Sequence, residues 1–286
     1  MPSCVFHDYD HFVERWTSTE VLAAARMVEQ SWPQPADMEV FESEDVLAIR
    51  VPVHLTSPTS GRVQAWIHSR REFAEIRPEM EHVAREWGVD EVWWWVDAAD
   101  DVAVEAALRD GGADLVVTEL LLARSLEGAA AETWLVGGET PGVKVSIVDD
   151  QASFGALTEV ETAGWGRNRP SSEALSEEWE RIRGDLASSS AFALVATVDG
   201  IAASVGRCGL FGPVVRLFGA VTLPEYRGRG LYGEVVAARC RLGKEHGATL
   251  AMTKGRPDTS APILRRAGFL PFQTERCCRL RVEGVV

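Results

Sequence analysis

The feature that most restricts the fold of this chain is an internal repeat. At a constant offset of 156 residues, Leu108-Arg109 falls on Leu264-Arg265, Gly112 on Gly268 and Thr118-Glu119 on Thr274-Glu275. A period this long is a whole domain made twice, since solenoids and propellers repeat every 20 to 50 residues or so. The 286 residues suit two domains. The small-residue segment EGAAAETWLVGGETPG (127–142) separates them, giving domains over 1–138 and 143–286. The triple Trp93-Trp94-Trp95 then reads as a central strand, apolar and buried on both faces.

The second half gives the clearer element pattern. Strands are expected over 143–148, 191–198, 201–208, 214–221, 248–253 and 272–282. A helix and a polar loop are expected over 153–172, then helices over 171–187, 230–245 and 259–268. Ser172 or Ser176 suits the cap of the second helix. Asp199-Gly200 marks a tight hairpin. The order predicts an α/β fold: a mixed, mostly antiparallel sheet flanked by helices, present twice in tandem.

Charge divides unevenly between the halves. Residues 1–142 hold 10 Lys and Arg against 27 Asp and Glu, and residues 143–286 hold 19 against 16. An overall charge of −14 makes nucleic acid a poor partner, because phosphate-backbone binding needs a basic face. No apolar run approaches the roughly 18 residues of a membrane span, and acids stand where a secretory signal would be basic. The expectation is a soluble, cytoplasmic protein with no membrane partner. Five cysteines, an odd number with two of them adjacent, suggest neither a disulfide framework nor a structural zinc site. His7 and His11 have helical spacing, but a metal site needs a third ligand, so no metal is expected.

Within the mildly basic half, TLPEYRGRGLYGE (222–234) lies between an expected strand and an expected helix. A helix N-terminus offers unpaired N–H groups and the positive end of a dipole. Glycines let backbone approach an anion closely. Arg227, Gly228, Arg229 and Gly230 therefore suit a phosphate or pyrophosphate. A Walker loop is absent, and a dinucleotide-binding GxGxxG needs a parallel βαβ unit near a chain start, whereas this loop follows a strand that ends in Thr-Leu-Pro. The corresponding stretch of the first half carries Ser69 and Arg71 in place of Gly228 and Gly230, so the anion site is expected in the second copy alone.

With this loop, and with SAPILRRAGF (260–269), the chain resembles the GNAT (GCN5-related) N-acetyltransferase family. The resemblance is good over 143–286 and weak over the whole chain as a tandem pair with a degenerate first copy. Tyr232 departs from the Gly or Ala usual at its position. The resemblance implies acetyl-CoA or another acyl-CoA, lying between the strands 214–221 and 248–253. Backbone groups of Val221, Thr222 and Leu223 would pair with the pantetheine arm. Residues Gly228, Arg229, Gly230, Leu231, Tyr232 and Gly233 would hold the pyrophosphate, with Arg227 beside them and Ser260 near the cofactor. A neutral amine of a small molecule would attack the thioester directly. Leu264 stands where many members place a Tyr as general acid, so that acid is missing here.

No base is evident. Glu159 and Glu161 fall in the segment that shapes the acceptor site of the family, with Trp165 and Asn168 following. Thr253 and Lys254 end the strand beside the expected gap. Each of these also reads as an ordinary structural or surface residue, and His246 reads as structural. Three functions stay open: an N-acyltransferase using acyl-CoA, one taking its acyl group from the phosphopantetheine of an acyl carrier protein docked near Arg227, Arg229 and Arg256, and a non-catalytic CoA-binding regulatory module. The acidity of the first half hints at a cationic acceptor. Monomer and homodimer are both open.

Overall fold

The computed structural model describes residues 16–30, 38–51, 62–67, 71–128 and 140–283. His7, His11 and Ser69 lie outside the described residues. The chain divides into two compact units, and the division is not a single cut: one unit takes residues 1–32 and 121–272, the other 33–120 and 273–286. The expected boundary near 138–143 describes the repeat but not the packing, because the N-terminal helix and both repeat-ending strands cross it.

In the larger unit, α1 (Ser18–Gln30) opens on a capping box in which Thr17 and Glu20 bond each other's backbone and side chains. Its apolar face, Val21, Ala24, Ala25 and Val28, packs against Leu121, Ala123, Val214, Leu250 and Met252. The sheet of this unit begins with β6 (Val143–Ile147), β7 (Ala191–Val198), β8 (Ile201–Phe211) and β9 (Val214–Thr222), each antiparallel to the next. Asp199 and Gly200, both at positive φ, turn β7 into β8. β10 (Leu250–Gly255) then joins β9 in parallel. Helices α4 (Gln151–Trp165) and α5 (Ser172–Ser188) bury Phe154, Leu157, Val160 and Ile182 against Ala193, Val195, Val205 and Val221. Helix α6 (Leu231–Glu245) buries Leu231 and Val235 against Ala196, Val198 and Ala203, and α7 is short (Ser260–Arg266). Ser171, one residue before the expected cap, accepts the hydrogen bond that starts α5.

In the smaller unit, β1 (Glu39–Glu42), β2 (Val46–Val51) and β3 (Arg62–Ile67) form an antiparallel run. Helix α2 (Phe73–Glu86) leads to β4 (Glu91–Asp97), parallel to β3, and α3 is Val102–Asp110. This is the order β7–β8–β9–α6–β10–α7 over again. β5 (Asp114–Ser125) and β11 (Leu270–Arg281) are each 12 residues long, and they correspond at the offset seen in the sequence. Most of β11 belongs to the smaller unit, pairing antiparallel with β4 from Glu275↔Asp97 to Arg281↔Glu91. The end of β5, from Leu121, belongs to the larger one. The repeat-ending strands are thus divided between the units.

The tryptophan strand is buried on one face only. Trp94 is fully buried, edge-on to Phe73 at 4.9 Å. Trp93 and Trp95 are half-buried on the other face, where Arg62 lies 4.2 Å over Trp93 and Trp66 stacks on Trp95.

Candidate active site

The site is built where β9 and β10 part. Their parallel register runs from Leu250↔Val214 to Thr253↔Leu217 and stops. β9 continues to Thr222, so among the described residues its last part leaves one backbone edge without a strand partner. Across its other edge, the register with β8 shifts between Val205 and Arg207, whose partners are Val221 and Phe218. One residue, Gly206, then opposes two, Gly219 and Ala220. Such a bulge bends a strand and raises its twist. Gly219, at a φ of 56°, takes a conformation that favours glycine.

Arg239 fixes this bend. Its side chain is 1% exposed. From α6 it donates to Val235 O at 3.1 Å, and its Nη1 donates to Arg207 O and Phe218 O, both at 3.2 Å. The two strand carbonyls flank the bulge. A Cβ on Gly206 would stand 3.0 Å from the guanidinium carbon, so glycine is needed there to admit it. Neither Arg239 nor Gly206 stands out in the sequence, where a helix arginine and a strand glycine are commonplace.

The backbone pattern narrows the expected contacts to a pantetheine arm. Leu223 N donates to Ala203 O, which directs the N–H and C=O of Leu223 and Val221 toward β8 and those of Thr222 away from it. Val221 O also accepts from the Ser204 hydroxyl at 3.1 Å. Of the three expected residues, Thr222 alone therefore presents its backbone to the open edge, and Arg227 Nε donates to its carbonyl at 3.2 Å.

The glycine loop forms a cradle. Gly230, at a φ of 82°, is the N-cap of α6, and no side chain caps the helix. The first-turn N–H groups of α6, including those of Leu231, Tyr232 and Gly233, have no partner within the helix. A Cβ on Gly228 or Gly233 would meet nothing within 4 Å, whereas one on Gly230 would meet the Thr140 hydroxyl at 2.9 Å. Thr140 is anchored by Glu234, which accepts from its N at 2.9 Å and its hydroxyl at 2.7 Å. This contact from the segment before β6 is not legible in the sequence. Arg229 lies over Tyr226 at 5.2 Å. Leu231 is buried. Burial raises the pKa of Tyr232, and the charge of Arg239 opposes it only in part. In the smaller unit, helix α2 starts instead from Glu72 in extended conformation, without a left-handed glycine, and Arg71 is tied to Asp45 and Glu75.

The acceptor-side candidates separate. Glu161 is not a surface acid: both its oxygens accept from Arg207, at 2.8 and 2.9 Å, and Glu178 also binds Arg207. Burial opposes the charge on Arg207, but these two carboxylates outweigh it and raise its pKa. Gly164 brings α4 against β9, where a Cβ would come within 2.6 Å of Val221 Cγ2. Trp165 packs against the core cluster that includes Val221. Asn168 is exposed. Thr253 is buried and donates to Leu217 O at 3.0 Å, below the point where the strands part. Ser260 accepts from Arg256 N, a loop-closing role. Leu264 is fully buried, and a Cβ on Gly255 would come within 2.9 Å of it. His246 bonds Leu242 O and packs on Phe192, as a structural residue does. Glu159 lines a cavity of about 570 Å³ beside α4, with Thr158, Thr162, Arg167 and Arg169.

Among the described residues no helix is long and apolar enough to cross a membrane, and no group of three His, Cys, Asp or Glu is placed to hold a metal ion. No family model and no curated protein matches the sequence. Solved structures do match. A GCN5-related N-acetyltransferase from Sphaerobacter thermophilus superposes with a TM-score of 0.64 at 14% identity, over 92% of this chain and 87% of its own. One from Kribbella flavida gives 0.59 at 15% identity, over 93% and 95%. A tandem GNAT protein from the clavulanic acid biosynthesis pathway gives 0.59 at 14%, over 90% and 87%. The fold of this chain, along about nine tenths of its length, is that of the GCN5-related N-acetyltransferases.

Proposed function

We propose that the protein is an N-acyltransferase that uses acyl-CoA, acetyl-CoA in the first instance, and acts on the amine of a small molecule. The observation that carries this reading is the coincidence of an open strand edge with an uncapped, glycine-led helix N-terminus at the end of the same strand. The residues fit such a ligand. Gly228 and Gly233 leave open space for phosphate oxygens, the α6 N–H groups and dipole face them, and Thr222 offers backbone to an extended arm as an added strand would. Cofactor binding is thereby assigned to the second copy, with the first copy as a support.

An acyl thioester supplies an activated carbonyl and a thiolate leaving group. The roles of the chain are to hold the pyrophosphate at Gly228–Gly233, to align the arm at Thr222, and to keep β9 bent through Arg239. The acceptor amine approaches from the side of α4 and attacks the thioester carbonyl carbon, so that the C–N bond forms, the C–S bond breaks with departure of the thiolate, and the proton of the amine passes to water. Leu264, buried in the core, supplies no acid for it. A thiol is acidic enough to leave unassisted at a modest cost in rate. Glu161, committed to Arg207, is assigned a positioning role and not that of base.

Equilibrium binding separates the donors. Acetyl-CoA is expected to bind at least 100-fold more tightly than acetyl-pantetheine, which lacks the pyrophosphate, and thiol release is expected over a panel of small amines. Equal affinities would favour a carrier-protein donor, and tight binding with no turnover of any amine would favour a regulatory module.

A further inference from the structure

Arg167 is a cation without an ion-pair partner among the described residues. Glu161, the acid whose charge it feels, gives both oxygens to Arg207 instead. Its guanidinium lies 4.3 Å from the centroid of the Trp165 ring. Burial lowers its pKa, and the Arg207 charge adds to that against the pull of Glu161. A half-buried guanidinium stacked on an indole keeps its planar fork free for a carboxylate or a phosphate, which it binds with two parallel hydrogen bonds.

Arg167 also lines the cavity of about 570 Å³ beside α4. The wall sets Arg167 and Arg169 against one acid, Glu159. Thr158 turns its hydroxyl back to Phe154 O, which leaves Thr162 as the polar neutral group. The last turns of α4 form this wall and rest on β9 at Gly164 and Val221. A mainly cationic wall does not suit a polyamine, whatever the acidity of residues 1–142.

We propose that this cavity receives an anionic group of the acceptor, a carboxylate or a phosphate, with Arg167 as its fork and Arg169 as a second cation. The acceptor is then an amine that also carries a negative charge. This assignment rests on the acyl-transfer reading above.

The test uses matched amines with the full chain and acetyl-CoA: glycine with glycinamide, L-phenylalanine with L-phenylalaninamide, O-phosphoethanolamine with ethanolamine, and spermidine as the cationic member. The first two pairs report a carboxylate and the third a phosphate. The anionic member of a pair is expected to have at least tenfold higher kcat/KM. Arg167→Gln should raise KM tenfold or more with kcat and acetyl-CoA affinity within twofold, and Arg167→Lys should recover part of the loss. A second readout needs no turnover: modification of Arg167 by phenylglyoxal, followed by peptide mass spectrometry, should slow at least threefold with an anionic member and not with its neutral match. Preference for spermidine or the neutral amines, or no protection of Arg167 by any anionic member, overturns the assignment. Protection in a protein that binds no acetyl-CoA would keep the anion site and remove the acyl-transfer reading.

Discussion

Glu161 holds Arg207 by two hydrogen bonds, from Nε at 2.8 Å and Nη2 at 2.9 Å. The pair joins α4 to β8 at the register position opposite Phe218, beside the bulge. Glu178 of α5 completes it, so one arginine ties two helices to the bent part of the sheet. Removing the cation leaves two partly buried carboxylates facing each other. Arg207→Met is expected to cost about 3–5 kcal/mol, as breaking a buried ion pair does, read as a fall of roughly 10 °C in Tm. A loss under about 1 kcal/mol would show the cluster to be a surface pair.

The same cluster sets a pH dependence. Burial raises the Glu178 pKa, but Arg207 and Arg181 outweigh it and leave the value below the ordinary 4.5. A lowered folded-state pKa contributes stability above the unfolded value and loses it as pH falls through the folded one. Urea unfolding of wild type and Glu178→Gln should therefore differ most at pH 6, and the difference should shrink below about 4.5. A constant difference down to pH 3 would deny the coupling.

Gly164→Ala places a methyl 2.6 Å from Val221 Cγ2. Overpacking of this kind costs about 1–3 kcal/mol. Because Val221 lies on the bent segment of β9, the substitution should also weaken acetyl-CoA binding several-fold. Unchanged affinity would separate the helix contact from the site.

Leu264→Tyr is not expected to restore an acid. The leucine is fully buried against the Gly255 backbone, and the larger ring should lower Tm without raising kcat. A rise in kcat would mean that this position faces the gap.

Burial raises the thiols of Cys208 and Cys240 to about 12. Native protein at pH 8 should leave both unmodified by a thiol reagent, since only the thiolate reacts. Peptide mapping that finds either one labelled before unfolding would contradict the packing.

Much of this architecture is legible in the sequence because its signals are local. Gly228 and Gly230 announce a helix start led by left-handed backbone, Asp199-Gly200 a hairpin, and the offset of 156 residues a duplicated domain. What stays hidden depends on groups distant along the chain. The division of β5 and β11 between the units leaves no trace in periodicity, since either strand suits either sheet. Glu161 looks like a surface acid until Arg207 is placed beside it. The hydroxyl of Thr253 is tied to Leu217 O at the last paired position of β10, a bond that spacing does not mark. Arg239 gains its role only from a bulge that the alternation of side chains does not mark.

The most direct test of the account is a calorimetric titration of the protein with acetyl-CoA, alongside Gly230→Arg and Gly228→Glu. The first substitution copies Arg71 of the other repeat and meets Thr140. The second sets a negative charge in open space within the cradle. The account predicts one equivalent bound by wild type and none by either variant, with both variants still unfolding cooperatively. Absence of binding to wild type, or equal binding by all three, would contradict it.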